Sequence, residues 1–212
     1  MATENVNIDD VKIIFCVQGY SLNNDFILRE IGFWTHGYSG SIPFNCRINL
    51  NQLDVQSLKI INVLEDQIHG IKVKNHVDCG LALSESRAVV RSLYHMNSWK
   101  CESKRIGICR DPNISGLLHK AGLGKFVIDL DELAMFKNTT DKVPSNKDLQ
   151  EFMRKYPQKY TICSLHDKLK SGEVPLCAKV KAEFIADYCL IFQINLNETI
   201  KSIIDLENIE SL

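Results

Sequence analysis

The chain has 212 residues and a mass of 24.1 kDa, a size that predicts one domain with at most a short appendage. Apolar residues make up 45% of the chain and charged residues 24%, which excludes collagen-like, largely disordered and coiled-coil proteins. Lys and Arg number 25 against 26 Asp and Glu. Any binding of nucleic acid must therefore come from a local basic patch, because the chain has no global positive charge.

The eight cysteines are the unusual feature of the composition. The first ten residues (MATENVNIDD) contain neither the basic nor the apolar segment of a signal peptide, and no apolar run approaches the roughly 18 residues of a membrane helix. We therefore expect a protein of the cytoplasm, the nucleus or both, not secreted and without a membrane partner, whose thiols stay reduced. Such thiols are mostly small buried side chains, and their spacing must indicate which of them bind metal.

Three apolar segments near the N-terminus predict strands. Residues 12–17 (KIIFCV) and 26–34 (FILREIGFW) are rich in β-branched and aromatic side chains. The short polar segment between them predicts an antiparallel hairpin. Residues 41–50 predict a third strand, with Pro43 near its start or at a sheet edge.

The next two segments have helical spacing. Apolar residues recur at intervals of three to five over residues 51–68, which predicts a helix. Residues 81–95 predict a second, amphipathic helix with Ser84 as its N-cap. Its inward-facing side chains are expected to be Ala88, Val89 and Leu93.

Strands and helices then alternate. Residues 105–109 (RIGIC) predict a short buried strand, residues 111–113 (DPN) signal a helix start, and a short helix is expected over residues 114–121. Residues 125–130 (KFVIDL) predict the next strand. This strand–helix–strand spacing predicts that parallel strands follow the hairpin.

The last third of the chain is polar before it becomes helical. Residues 137–159 predict either a loop or a loop with one helix near residues 148–156. Pro175 precedes a long predicted helix over residues 176–192. One side of that helix is expected to contain Ala178, Ala182, Ile185 and Cys189.

These elements predict an α/β fold in which helices pack on a mixed sheet. We expect an N-terminal extension over residues 1–10 and one domain over residues 11–194. Residues 195–212 form an acidic segment whose first apolar residues have helical spacing, and we expect it to dock on the domain or on a partner.

The strongest chemical pattern is Cys163-x2-His166, followed after ten intervening residues by Cys177. Zinc takes four ligands from thiolate, imidazole or carboxylate. Cys177 is expected at the start of the last helix, where the helix dipole favours a thiolate. The alternative is that both cysteines are buried apolar thiols and that His166 lies on the surface. The candidates for a fourth ligand are Glu30, His36, Cys46, Cys79, Cys101 and Cys109.

The order of elements resembles the RNase H-like fold of DEDD exonucleases, whose first strand carries an Asp-x-Glu pair and whose second strand ends in a Glu-Ile-Gly-like sequence. Residues 15–19 (FCVQG) occupy the place of the pair, and residues 29–32 (REIG) occupy the second place. Residues 109–118 (CRDPNISGLL) are similar to the segment that supplies the third carboxylate, and residues 177–182 (CAKVKA) to the last motif.

The catalytic carboxylates themselves are missing from these motifs. Asn113 or Ile114 falls at the third position, although Asp111 is close, and Val180 or Lys181 falls at the fourth. Two-metal hydrolysis needs carboxylates that hold two magnesium ions roughly 4 Å apart. Cys, Gln, Asn and Lys do not replace these ligands, so we expect no ordinary DEDD nuclease activity and no catalytic residue.

One branch of this superfamily, the MAEL domain of Maelstrom proteins, is similar to residues 12–192. Those domains generally lack the carboxylates in animals and carry a zinc-binding Glu-Cys-His-Cys set. The resemblance implies zinc as cofactor and, as its ligands, Glu30, Cys163, His166 and Cys177. It also implies binding of single-stranded RNA in piRNA-type transposon silencing, with protein partners from that pathway. RNA cleavage by other chemistry, or a protein-interaction scaffold on a degenerate nuclease fold, are the alternatives.

Basic residues near aromatic ones suggest where RNA would bind. Single-stranded nucleic acid is held without recognition of its sequence when cations neutralise phosphates and aromatic rings stack on bases. Tyr156 lies among the basic residues of the segment 137–159, and Tyr160 directly follows them. The alternative is a solvated loop whose acidic residues offset the charge. The candidates are Lys100, Lys104, Arg105, Arg110, Lys142, Arg154, Lys155 and Lys159.

Overall fold

The computed structural model describes part of the chain in detail. The described residues are 11–22, 25–36, 38–45, 48, 50–73, 80–96, 106–130 and 146–192. The predicted N-terminal extension over residues 1–10 and the acidic segment over residues 195–212 lie outside these ranges.

Six strands of the described residues form one mixed sheet in the order β4-β3-β2-β1-β5-β6. β1 pairs antiparallel with β2, and β2 pairs antiparallel with β3. The other pairs are parallel: β3 with β4, β1 with β5, and β5 with β6. The predicted hairpin and the parallel strands after it are thus confirmed. The strands are β1 (Val11–Leu22), β2 (Asp25–Thr35), β3 (Tyr38–Asn45), β4 (Leu81–Ala82), β5 (Ile106–Cys109) and β6 (Val127–Asp129).

Helices cover both faces of this sheet. Side chains of α2 and α3 pack with Phe15 and Val17 of β1 and with Ile31 of β2. The last helix, α5, crosses the opposite face, where it packs against β1, β2 and β3. The helices are α1 (Val55–Val63), α2 (Ser86–Met96), α3 (Pro112–Lys120), α4 (Asn146–Lys155) and α5 (Ala178–Phe192).

The hairpin is longer than its sequence predicts. Polar residues after Gln18 suggested a loop, but β1 continues to Leu22 and β2 begins at Asp25. The pairing shifts register between Gln18 and Gly19, and the strand then continues because Tyr20 and Leu22 are buried against α1 and the segment that follows it.

Several element bounds and one helix face also differ from expectation. The third strand ends at Asn45 instead of residue 50, and residues 124–126 form a 3-10 turn before β6. In α2, Val90 and Tyr94 are buried beside Leu93, whereas Ala88 is exposed. The buried face is rotated because it packs against α3 and the sheet together.

The helix starts also differ in detail. Ser84 lies inside a 3-10 turn (Leu83–Glu85), where the carboxylate of Glu85 accepts a hydrogen bond from the amide of Ala82. The last helix begins at Ala178, two residues later than predicted. Within the described part of the chain, every helix is too short or too polar to cross a bilayer.

Gly32 of β2 allows α5 to approach the sheet closely. A Cβ atom at this position would lie 2.0 Å from the backbone carbon of Ala178. We therefore expect Gly32→Ala to lower the free energy of unfolding by about 1–3 kcal/mol or more, because backbone must move to make room. Denaturant unfolding followed by circular dichroism measures this change.

Gly116 in α3 is the matched control. A Cβ atom there would meet nothing within 4 Å, so Gly116→Ala should raise stability by about 0.5–1 kcal/mol through helix propensity alone. Equal effects of the two substitutions would contradict the close approach of α5.

Candidate metal centre

The candidate site is built around a carboxylate buried in the middle of the sheet. Glu30 pairs with Gln18 of β1 and Pro43 of β3, so it lies within β2 and not at its end. Its exposed fraction is 0%. A carboxylate that is removed from water is costly unless hydrogen bonds and positive charge compensate for the lost hydration.

One carboxylate oxygen of Glu30 accepts hydrogen bonds from a hydroxyl group and two thiol groups. Its Oε1 accepts hydrogen bonds from Ser41 Oγ at 2.6 Å, from Cys163 Sγ at 3.2 Å and from Cys177 Sγ at 3.4 Å. Ser41 belongs to β3, Cys163 to the loop before α5, and Cys177 directly precedes that helix. Three separate parts of the chain therefore meet at one oxygen atom.

The other carboxylate oxygen of Glu30 contacts two nitrogen atoms. Glu30 Oε2 accepts a hydrogen bond from the amide of Ala178 at 2.9 Å and lies 3.1 Å from His166 Nε2. The side chains of Glu30 and His166 are both inaccessible to solvent. On the far side of its ring, His166 Nδ1 donates to the carbonyl of His69. This hydrogen bond leaves Nε2 as the nitrogen that faces the carboxylate and the thiols.

The structure brings together the four residues that the family resemblance implied as ligands. One donor atom from each of Glu30, Cys163, His166 and Cys177 lies within 4.8 Å of the others, and the cluster could hold a metal ion. His36 instead places its Nε2 2.9 Å from the carbonyl of Val11.

The other candidate ligands do not join the cluster in the described structure. Cys109 is buried among apolar residues of α2 and α3. Cys46, Cys79 and Cys101 lie outside the described residues.

The end of α1 holds the loop that carries Cys163 and His166. A π-helical turn (Leu64–Ile68) extends α1, and the backbone that follows it bonds to the loop at two points. The carbonyl of Ile68 accepts from the amide of Leu176, and that of Gly70 accepts from the amide of Asp167, each at 2.9 Å. Gly70 has φ +67°, and a Cβ atom there would lie 2.2 Å from the Asp167 carbonyl oxygen, so glycine is required.

The electrostatics of Glu30 and His166 favour their charged forms. Burial alone would raise the pKa of Glu30, but the hydrogen bond and charge of His166 and the bonds from Ser41 and Ala178 lower it to about 2. Burial likewise opposes the charge on His166, and its contacts with Cys163 and Glu30 raise its pKa to about 10. The carboxylate is therefore ionised in this site.

The two thiols behave differently from each other. A hydrogen bond from Cys177 lowers the pKa of Cys163 to about 5, helped by the contact with His166. The same hydrogen bond, together with burial and the negative charges of Glu30 and Cys163, raises the pKa of Cys177. Three adjacent buried anions repel each other, so full ionisation of both thiols and the carboxylate requires a cation among them.

The donor set fits a divalent metal ion. Two sulfur atoms, one imidazole nitrogen and one carboxylate oxygen complete a four-coordinate site. A metal-binding histidine usually donates its second ring nitrogen to a carbonyl or carboxylate, as His166 does to His69. Ser41 and the amide of Ala178 hold the carboxylate in place. With an ion bound, these residues would supply all four ligands and leave no protein ligand missing.

The described residues of the segments that resemble DEDD motifs contain no pair of carboxylates near each other. Cys16 is buried, which raises the pKa of its thiol to about 12 despite the charges of Lys181 and Arg110. Gln18 donates its amide to the carbonyl of Leu176 at 3.2 Å. Asp111 caps α3 by accepting from the amide of Asn113 at 2.8 Å.

Part of the predicted RNA-binding set can be placed. Arg110 is half-buried after β5, whereas Arg154, Lys155 and Lys159 are exposed on α4 and the turn that follows it. Arg154 lies 3.5 Å from Glu173 and Lys159 lies 2.8 Å from Asp187, so acidic neighbours offset part of this charge. The remaining candidates lie outside the described residues: Lys100, Lys104, Arg105 and Lys142.

Sequence reasoning missed the residues that position the ligands. Ser41, His69 and Gly70 all act on the cluster through hydrogen bonds, yet none of them belongs to a ligand motif. Gly70 at the end of a helical segment was the one local signal, since a glycine there indicates a turn. Its partner lies almost one hundred residues later, a relation that spacing does not reveal.

Metal content tests the cluster directly. We expect the purified protein to carry one divalent ion per chain and Cys163→Ala to lose it, because the substitution removes one of four donors. Loss of the ion should also lower the melting temperature by ~6–12 °C, since an unpaired buried charge costs about 3 kcal/mol or more. Elemental analysis and thermal unfolding are the measurements.

Cys109→Ala is the matched control, because Cys109 is buried in the other core and takes no part in the cluster. It should keep the metal content of the unmodified protein. The site would be ruled out if the unmodified protein carried no metal and Cys163→Ala left its stability unchanged.

No known family model, curated protein or solved structure matches this chain. The chemistry assigned to the cluster therefore depends on its donor atoms, their burial and their spacing.

Proposed function

We propose that this chain is a zinc-containing domain of RNase H-like fold and Maelstrom type, which binds single-stranded RNA and lacks two-metal nuclease chemistry. The observation that carries the proposal is the buried convergence of Glu30, Cys163, His166 and Cys177. We further propose that the domain acts in small-RNA silencing of transposons with protein partners of that pathway, in the cytoplasm or the nucleus.

Zinc is the metal that the donor set favours. Thiolate and imidazole donors in a four-coordinate site suit Zn²⁺, whereas magnesium, calcium and manganese prefer sites made of oxygen atoms. The protein supplies all four donors, so no position stays open for a reacting water molecule. The ion then has a structural role, in which it links β2 to the start of α5 and contributes to the free energy of folding.

The absence of nuclease chemistry is supported by the residues on the α5 face of the sheet. Gln18 uses its amide to hold the carbonyl of Leu176, next to Cys177. A glutamate at this position would place negative charge against that carbonyl oxygen. Burial also lowers the pKa of Lys181, and a lysine is no ligand for magnesium. Gln18 and Lys181 therefore have structural roles at positions where two metal ions would need oxygen ligands.

Binding of RNA is supported by a small basic and aromatic surface around the end of α4. Tyr156 is 43% exposed, and the ammonium group of Lys155 lies 5.4 Å from the centre of its ring. An exposed aromatic ring beside cations can stack on a base while the cations contact phosphates. The nearly neutral net charge of the chain means that binding depends on this local surface and weakens as salt increases.

Fluorescence anisotropy with a short labelled single-stranded RNA tests this surface. We expect Tyr156→Ala to weaken binding by ~5-fold or more, because stacking on an aromatic residue contributes about 1–3 kcal/mol per base. Lys155→Ala should reduce the slope of log affinity against log salt by about 1, because it removes one phosphate contact. Lys59→Ala, an exposed lysine on α1, is the control and should change neither quantity.

The outcomes separate the proposal from its alternatives. RNA that stays intact with Mg²⁺ supports binding without nuclease chemistry, and trimming that requires Mg²⁺ contradicts it. Protein that carries zinc but has no affinity for RNA at low salt contradicts the RNA function. Specific capture of a silencing-pathway protein would then favour a scaffold.

A further inference from the structure

A second concave site lies on the face of the sheet opposite to the metal cluster. It is a pocket of about 830 Å³ that is lined by Val17 of β1, by the first residues of β2 and by residues of α2 and α3. Its apolar wall includes Val17, Phe26, Leu28 and Leu117. This volume lies within the range of small-molecule sites, roughly 300–1,000 Å³.

The polar wall of this pocket carries unpaired cations. Arg87 in the first turn of α2 and Lys120 at the end of α3 both line it. Within the described part of the chain, neither side chain forms an ion pair or a hydrogen bond. Asp25 is the one acidic residue among those that line the pocket, so an excess of one positive charge remains. Such a wall attracts an anion.

The hydroxyl and amide groups narrow the class of ligand. Ser84 and Asn113 also line the pocket, as does the partly buried Phe26 of β2. A nucleotide presents the matching groups: a phosphate for two cations, hydroxyl groups that donate to a carboxylate such as Asp25, and a flat base for an aromatic and aliphatic wall. A simple inorganic anion would leave the apolar wall and Asp25 without a partner.

We propose that the pocket binds one nucleotide unit, with its phosphate between Arg87 and Lys120 and its base against Phe26 and Leu117. Two sources share this chemistry: the end of a single-stranded RNA and a free nucleoside monophosphate. The RNA source rests on the function proposed above, whereas the free nucleotide does not. The pocket and the metal cluster lie on opposite faces of the sheet, so the pocket forms a separate site.

Gly116 offers a way to close the pocket without disturbing the fold. It lines the pocket from the middle of α3, and a Cβ atom there meets nothing within 4 Å. A leucine at this position would extend into the open volume while it favours the helix. Gly116→Leu therefore excludes the ligand by filling the pocket, whereas Arg87→Ala and Lys120→Ala weaken its binding by removing positive charge.

The experiment measures binding of AMP by calorimetry and binding of labelled RNA by anisotropy, with AMP as competitor, on the full metal-containing chain. Arg87→Ala and Lys120→Ala should each weaken AMP binding ~10-fold or more, because each removes a charge-assisted contact to phosphate. Gly116→Leu should abolish AMP binding and keep the melting temperature. Arg91→Ala, an exposed arginine one turn further along α2, should leave AMP binding unchanged.

The outcomes distinguish this inference from the proposed function. Competition between AMP and RNA, with both weakened by the pocket variants, supports the end of an RNA strand as the ligand. AMP binding without RNA binding supports the free nucleotide and contradicts the RNA function alone. RNA binding that neither AMP nor the pocket variants affect overturns the pocket and leaves the RNA function standing. Absence of AMP binding at millimolar concentration also overturns the pocket.

Discussion

The burial of Glu30 is the constraint on which the rest of the site depends. A carboxylate with no solvent exposure in the middle of a sheet must recover its lost hydration from neighbouring groups. Ser41, His166 and the amide of Ala178 supply hydrogen bonds, and they come from β3, the long loop and α5. Because each group comes from a different segment, the carboxylate stays satisfied only when all three segments are in place.

The packing of α5 follows from the same requirement. The amide of Ala178 reaches Glu30 because Gly32, two residues further along β2, has no side chain to keep the helix away. Cys177 is thereby placed at the N-terminal end of the helix, where its thiol lies beside Glu30 and Cys163. A larger side chain at Gly32 would move α5 away and leave the buried Glu30 carboxylate with fewer hydrogen-bond partners. The small residues Gly32 and Ala178 therefore lie next to the candidate ligands Glu30 and Cys177.

Local patterns in the sequence predict much of the fold but only part of the site. The hairpin, the parallel strands and the last helix follow from runs of apolar residues and from their spacing. The extension of β1 past Gly19 and the buried face of α2 depend on tertiary contacts of Tyr20 and Val90, which no local pattern records. Spacing predicts Cys163, His166 and Cys177 as a group, whereas Glu30 was one of six possible fourth donors. The family resemblance singles out Glu30 among the six, and its position opposite α5 places it in the cluster.

The alternation of side chains along β1 separates two kinds of chemistry in one strand. Gln18 faces α5 and holds the backbone beside the metal cluster, whereas Val17 faces α2 and α3 and forms part of the pocket. Neighbouring residues of a strand point to opposite faces, so a substitution on one face leaves the groups on the other in place. The four clustered donor residues and the pocket can therefore vary independently of each other along the same strand.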